Sequence, residues 1–288
     1  MQFLKQKNEF FYYSNVKNNI FVKIYCMENI KDYVEKKKVF LREFFSFLKR
    51  KPVLVIVQVN NDEASNAYIR GKIKDCTEVG VESRLYHLPE TTTQDELLSL
   101  MDKLNKDDEV DAYIVQLPLP IQIDEKIVKN SINPKKDVDG FSPLSELIPA
   151  TPKGIIEYLK DSGFTFQGKN AVILGRSNIV GKPMQKALLD LNMNVLNLHS
   201  KTTDEDRKFY IEHADLVIVA IGKKYYLDNR FNFKKDCYVI DVGINREDGH
   251  LYGDCAPELK VFYQSPVPGG VGLLTRLALL LNLKELSK

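Results

Sequence analysis

Apolar positions along this chain switch between two rhythms. Over residues 30–48, Val34, Phe40, Leu41, Phe44, Phe45 and Leu48 recur at spacings of three and four, which predicts an amphipathic helix. Residues 52–57, Pro-Val-Leu-Val-Ile-Val, form an unbroken apolar run of the length of a buried strand. Ser65 is placed to cap a helix running through Val79, where Gly80 stops it. A strand over 83–88, a helix over 94–104 and a strand over 111–116 follow, the last closed by Leu117-Pro118-Leu119-Pro120. The alternation restarts after Thr151-Pro152, with a helix over 153–162 and strands over 170–175, 194–199, 215–221 and 238–242. Strands alternating with helices imply right-handed crossovers and a mainly parallel sheet. The expected fold is therefore α/β in two lobes, 27–150 and 151–268, with a cleft between them. A last helix over 269–283 opens a segment, 269–288, expected to pack back on the first lobe. Residues 1–26 read as an extension without an assigned role, and Met27 is a plausible alternative start. No internal repeat is present.

Composition narrows the classes without choosing one. At 288 residues the chain can build two cores, and 44% hydrophobic with 28% charged residues is ordinary for a globular protein. The 41 basic and 39 acidic residues nearly cancel, so no global field recruits nucleic acid. The runs Lys36-Lys37-Lys38 and Lys49-Arg50-Lys51 read as solvated helix faces or ends. The cysteines at 26, 76, 237 and 255 lie far apart, which argues against a zinc site or disulfide framework and for a reducing, cytoplasmic setting. No apolar run reaches the roughly twenty residues of a membrane span, and residues 1–26 lack the apolar centre of a signal peptide. The histidines have no ligand spacing, so no metal is expected.

The chemistry concentrates in a few segments. Gly175-Arg176-Ser177-Asn178-Ile179-Val180-Gly181-Lys182-Pro183 follows a strand and opens a helix, with Pro183 suited to the first turn. Such a turn can cradle a pyrophosphate, although its two glycines stand six positions apart and so depart from G-x-G-x-x-G. His199-Ser200-Lys201-Thr202 ends the next strand, where an NAD-specific domain usually carries an acidic residue. Hydroxyl and ammonium groups there favour the 2′-phosphate of NADP. In the first half, Tyr68 and Lys72 stand one helical turn apart on one face. They could stack a flat substrate and move a proton, or form an ordinary surface pair. Gln116 ends a strand at the edge where ligands bind open α/β sheets, or is a satisfied structural amide. Asp139, in Asp137-Val138-Asp139-Gly140, could make a turn or accept two N–H bonds from an amidine-like heterocycle. Asp241-Val242-Gly243-Ile244-Asn245 and Pro266-Val267-Pro268-Gly269-Gly270-Val271-Gly272 supply further glycine turns.

Taken in order, these segments resemble the bifunctional methylenetetrahydrofolate dehydrogenase/methenyltetrahydrofolate cyclohydrolase family, over residues 29–286. The resemblance rests on Tyr68-x-x-x-Lys72, the 115–120 and 136–141 segments, the 175–183 loop and the two later glycine turns. It implies oxidation of 5,10-methylenetetrahydrofolate with NADP+ and hydrolysis of the methenyl product to 10-formyltetrahydrofolate. It further implies a homodimer formed through the cofactor lobes. By the same resemblance Lys72 is the catalytic lysine, Tyr68 stacks on the folate, Gln116 partners the lysine and Asp139 anchors the pterin. Gly175, Arg176, Ser177, Ser200 and Ile244 match cofactor positions. The chain departs from the family between Phe141 and Thr151, where its loop is shorter and lacks Asn-x-Gly-x-Leu. Ala150 replaces a common cysteine and Leu273 a common proline, while Thr275 is kept. The alternatives are a monofunctional NAD-dependent dehydrogenase and a non-catalytic folate- or cofactor-binding paralogue.

Overall fold

The computed structural model describes residues 27–287, together with the backbone of three short strands, β1 (Lys5–Gln6), β2 (Glu9–Phe11) and β3 (Lys23–Ile24), in a small antiparallel sheet. The remainder of the 1–26 extension lies outside the described residues.

The first lobe is a parallel sheet in the order β5-β4-β6, built from β4 (Val53–Gln58), β5 (Glu82–His87) and β6 (Ala112–Val115). Its central strand shows why a continuous apolar run was needed. Val53, Val55 and Val57 face a core with α3 (Gln94–Lys106) and α4 (Glu125–Ser131), while Leu54 faces the opposite core. A strand covered on both faces has no polar side to alternate with. Leu54's core holds α1 (Ile30–Ser46), α2 (Glu63–Val79), and parts of α5 (Ala150–Asp161) and α8 (Val271–Leu286).

The second lobe is a five-stranded parallel sheet in the order β13-β10-β9-β7-β8. Its strands are β7 (Asn170–Leu174), β8 (Asn194–Leu198), β9 (Leu216–Val219), β10 (Tyr238–Asp241) and β13 (Tyr263–Gln264). Ala171 and Ile173 point to a core shared with α5 and α6 (Gly181–Asp190); Val172 and Leu174 point to one closed partly by Ile211 of α7 (Asp204–Glu212). A hairpin, β11 (Asn245–Glu247) and β12 (His250–Tyr252), follows β10. The expected two-lobed α/β architecture is the one observed.

Helix α5 joins the lobes. Tyr158 belongs to the first lobe's core and Ile155 and Leu159 to the second's. Gly154 lets α5 press on α8, since a Cβ there would stand 2.4 Å from the Leu274 carbonyl oxygen. No helix among the described residues is long and apolar enough to cross a membrane.

Several local expectations change. Helix α2 begins three residues earlier than a Ser65 cap implies, at Glu63. Its cap is Asp62, whose Oδ2 accepts from the Ser65 backbone N–H at 2.7 Å, and buried Ser65 instead reaches toward the Leu117 carbonyl. Lys38 does not lie on a solvated face. It is buried between Asp75 at 2.6 Å and Glu78 at 2.7 Å, tying α1 to α2. Helix α7 escaped the periodicity because only Ile211 among its residues is buried, so no apolar stripe marks it.

Candidate active site

Helix α2 carries Tyr68 and Lys72 on the face that looks along the cleft, while Ile69, Cys76 and Val79 hold it to the core. Lys72 is not a surface lysine: it is 6% exposed, and its Nζ donates to Gln116 Oε1 at 2.9 Å. Gln116 follows the last residue of β6, at the strand's C-terminal end, and its Nε2 donates to the Leu117 carbonyl at 2.7 Å. That second bond fixes which end of the amide faces the lysine. The Tyr68 ring centre lies 5.8 Å from Lys72 Nζ, and its hydroxyl sits 3.5 Å from the Gly272 carbonyl at the start of α8.

Asp139 reaches the same place from the 137–140 turn. Its neighbour Val138 is fully buried, and the Val138 carbonyl accepts from Asn282 Nδ2 of α8 at 2.8 Å. Asp137 is spent on structure, taking the Ser142 N–H at 2.6 Å. Gly140 has φ +70°, and a Cβ on it would lie 2.8 Å from Pro149 Cα, so glycine is required where the loop folds back. Tyr68, Lys72, Gln116 and Asp139 then line one cavity of about 180 Å3, closed on the far side by Ile179 from the glycine loop of the second lobe. Of the two readings open for each of these four residues, the structure thus brings all four to the inter-lobe cleft.

Electrostatics in the cleft follow from burial. Desolvation pushes the Lys72 ammonium below the usual lysine range; Asp139 opposes this and Arg276 adds to it. Desolvation likewise pushes the Asp139 carboxyl up, with Lys72 opposing, and raises the Tyr68 phenol. Arg276 is held 2.9 Å from buried Asp75, and its guanidinium lies over Gly71, where any Cβ would collide with it. Gly71 therefore lets Arg276 cross α2 beside the lysine.

A second cavity, about 360 Å3, opens at the C-terminal ends of β7, β8 and β9. Gly175, Arg176, Ser177 and Ser200 line it, as do His199, Arg207 and Tyr226. Gly175 has φ +117°, and a Cβ there would stand 2.2 Å from the Ala220 carbonyl oxygen, so the loop crosses directly over the end of β9. The anion cradle differs from the sequence expectation in one respect. Ser177 Oγ already accepts from the N–H groups of Val180 and Gly181, at 3.1 and 3.4 Å, just ahead of α6. The start of the loop, Gly175 to Ser177, lines the cavity. Ile244 is exposed beyond β10 and lines neither cavity.

Two groups that shape the second cavity were missed. Asp254, fully buried, accepts from the backbone N–H groups of Ile221, Gly222 and Lys223 at 2.7–2.8 Å and from Asn245 Nδ2 at 2.9 Å. It holds the loop after β9 against the β11–β12 hairpin. Arg207 sits on α7, the helix that carries no apolar stripe. Asn282, by contrast, had a signal: it is a polar residue inside the run Leu-Ala-Leu-Leu-Leu-Asn-Leu.

Residues 25–139 match the family described as tetrahydrofolate dehydrogenase/cyclohydrolase, catalytic domain, and residues 149–288 match its NAD(P)-binding domain. The bifunctional protein FolD of Campylobacter concisus is 47% identical over 247 residues, 80% of this chain and 85% of that protein. The chain belongs to the tetrahydrofolate dehydrogenase/cyclohydrolase family. The crystal structure of the bifunctional enzyme FolD, a methylenetetrahydrofolate dehydrogenase/cyclohydrolase from Campylobacter jejuni, superposes with a TM-score of 0.86 at 40% identity, covering 90% of this chain and 97% of that one. The Trypanosoma brucei methylenetetrahydrofolate dehydrogenase-cyclohydrolase, solved with NADP and an inhibitor, gives 0.85 at 28% identity, covering 91% and 97%. Both family domains are thus present in this chain; the first cavity is lined from both of them, and the second by the NAD(P)-binding domain.

Proposed function

We propose that this protein oxidises 5,10-methylenetetrahydrofolate with NADP+ and hydrolyses the 5,10-methenyl product to 10-formyltetrahydrofolate. The observation that carries this reading is the buried Lys72–Gln116 pair beside Asp139, facing the glycine loop across one cleft. The second cavity suits NADP in its donors: a loop backbone that only glycine can bring over β9, with Arg176, Ser177 and Ser200 at its rim to hold the phosphates. Bound there, NADP+ supplies the hydride acceptor.

This chain's own residues do the rest. Asp139 accepts N–H bonds from the pterin's amidine edge and fixes the ring, and Tyr68 supplies a flat face for stacking. Oxidation asks mainly for positioning, because the two nitrogens flanking the one-carbon bridge stabilise the cation. Hydrolysis asks for a proton carrier. Water must add to the methenyl carbon, and a proton must leave it while one ring nitrogen is released. Lys72 Nζ is the group placed to carry that proton, and its lowered pKa populates the neutral amine closer to neutral pH than an exposed lysine allows. Gln116 keeps Nζ aimed, since its own orientation is set by the Leu117 carbonyl.

The intact Lys72–Gln116 pair favours two activities over a monofunctional NAD-dependent dehydrogenase or a non-catalytic paralogue. An ultraviolet assay that follows formation and decay of the methenyl compound tests all three. Formation with NADP+ faster than with NAD+, followed by decay, is expected. Formation without enzymatic decay means the monofunctional enzyme, and no turnover with either cofactor means the binding protein.

The homodimer belongs to the same proposal. Strand β8 ends the cofactor sheet with an edge that is unpaired among the described residues and carries a half-exposed Leu196, features that a second copy would cover. Sedimentation equilibrium at micromolar protein should give twice the chain mass; a monomer mass removes this part. A cytoplasmic location fits the three buried thiols, Cys76, Cys237 and Cys255, which are unpaired with one another.

A further inference from the structure

Selectivity for a 2′-phosphate needs a cation beyond the end of β8, where the adenosine ribose of a dinucleotide lies in this class of fold. By sequence that cation is Lys201, next to Ser200. The structure puts Lys201 at an exposed position outside the cavity. Another cation occupies the expected place. Arg207, one turn into α7, lines the same cavity as Arg176, Ser177 and Ser200, with its side chain 17% exposed.

Arg207 is also held in position. Its Nη2 donates to the Thr202 carbonyl at 2.9 Å, its Nη1 pairs with Asp204, and its guanidinium carbon stands 5.7 Å from the Tyr226 ring centre. Those contacts use two of five N–H donors and leave the fork rigid, which reduces the ordering cost when an anion arrives. The first turn of α7 is strongly acidic, with Asp204, Glu205 and Asp206, and read from sequence it repels phosphate. None of the three lines the cavity. Asp204 is 97% exposed, and Asp206 is engaged by the Thr203 hydroxyl at 2.8 Å. The helix thus turns Glu205 and Asp206 to solvent, keeps Asp204 on the outer side of the guanidinium and turns the arginine inward.

We infer that Arg207 is the residue by which this protein distinguishes a 2′-phosphorylated adenosine from an unphosphorylated one, with Tyr226 and the Thr202 carbonyl as its positioning partners. This deepens the NADP reading above and rests on it. Lys201 is a bystander.

The test is binding, without turnover. Calorimetry on the intact protein compares 2′,5′-ADP with ADP, for the wild type and for Arg207→Gln, Arg207→Lys and Lys201→Gln. A charge-assisted contact to phosphate predicts that Arg207→Gln weakens 2′,5′-ADP about tenfold or more and leaves ADP within about twofold. Arg207→Lys recovers part of the loss, and Lys201→Gln stays near wild type. A parallel thermal melt confirms that each variant is folded. Equal loss for both nucleotides in a folded Arg207→Gln makes the residue merely structural and overturns the inference. So does a 2′-phosphate preference that survives Arg207→Gln or disappears in Lys201→Gln. A wild type that binds ADP as tightly as 2′,5′-ADP overturns the NADP reading itself, and the two failures are distinguishable.

Discussion

Replacing Lys72 with glutamine should lower methenyl hydrolysis by roughly 10²- to 10⁴-fold, the range of a lost general acid–base group, while measurable hydride transfer remains. The asymmetry follows from what each step asks of the side chain. Hydride leaves a carbon flanked by two nitrogens and needs no proton carrier, so the variant loses only part of its positioning. Hydrolysis needs a group that takes up and gives back a proton beside the bridge, and Lys72 Nζ, 2.9 Å from Gln116 Oε1, is the amine that lines the cavity there. Glutamine keeps a hydrogen-bonding head of similar reach, so collapse of the cleft is avoided. The pH profile supplies a second reading. Wild-type hydrolysis that uses the free amine falls as pH drops through the lysine's depressed pKa, because the ammonium cannot accept a proton. In the glutamine variant that limb should vanish. Hydrolysis at wild-type rate, or an unchanged limb, would remove Lys72 from the mechanism.

The largest effect on stability should come from Asp254→Ala, well outside the cleft. Its carboxylate is the acceptor for three consecutive backbone N–H groups and one side-chain amide, all at 2.7–2.9 Å, with no exposure to water. Hydrogen bonds to a charged group contribute about 1.5–3 kcal/mol each, and buried donors left unpaired add their desolvation penalty. Some water entry will offset the sum, so a loss of at least about 3 kcal/mol is expected. At about 2–4 °C per kcal/mol for a chain of this size class, the melting temperature should fall by about 10 °C. Cofactor affinity should fall with it, because Ile221, whose N–H is one of the four donors, lines the second cavity. Asp254→Asn keeps the shape and should lie between. A melting temperature within about 2 °C of wild type would show that the loop after β9 is held by something else.

Much of the frame was legible in the chain because its signals are local. The run at 53–57 had to be a strand buried on both faces, and Gly80 had to end a helix, which it does with φ +82°. Tyr68 and Lys72 shared a helical face whatever the fold. The failures have equally physical causes. Ser65 looked like a cap, but Asp62 three residues earlier offers its carboxylate to the Ser65 N–H itself. Lys38 looked solvated because the acids that bury it, Asp75 and Glu78, sit on the next helix.

Sequence alone determined the alternation of the main strands and helices (α7 and the β11–β12 hairpin excepted), the two-lobed frame and the residue types available for chemistry. Each of these depends on side chains within a turn or two of one another. Tertiary structure decided which of those residues come together around a cavity. It buried Lys72 and set it on Gln116, separated structural Asp137 from Asp139 in one short turn, and turned Arg207 rather than Lys201 toward the cofactor cavity. Such outcomes depend on which distant groups share a low-dielectric space. Neither periodicity nor spacing records that.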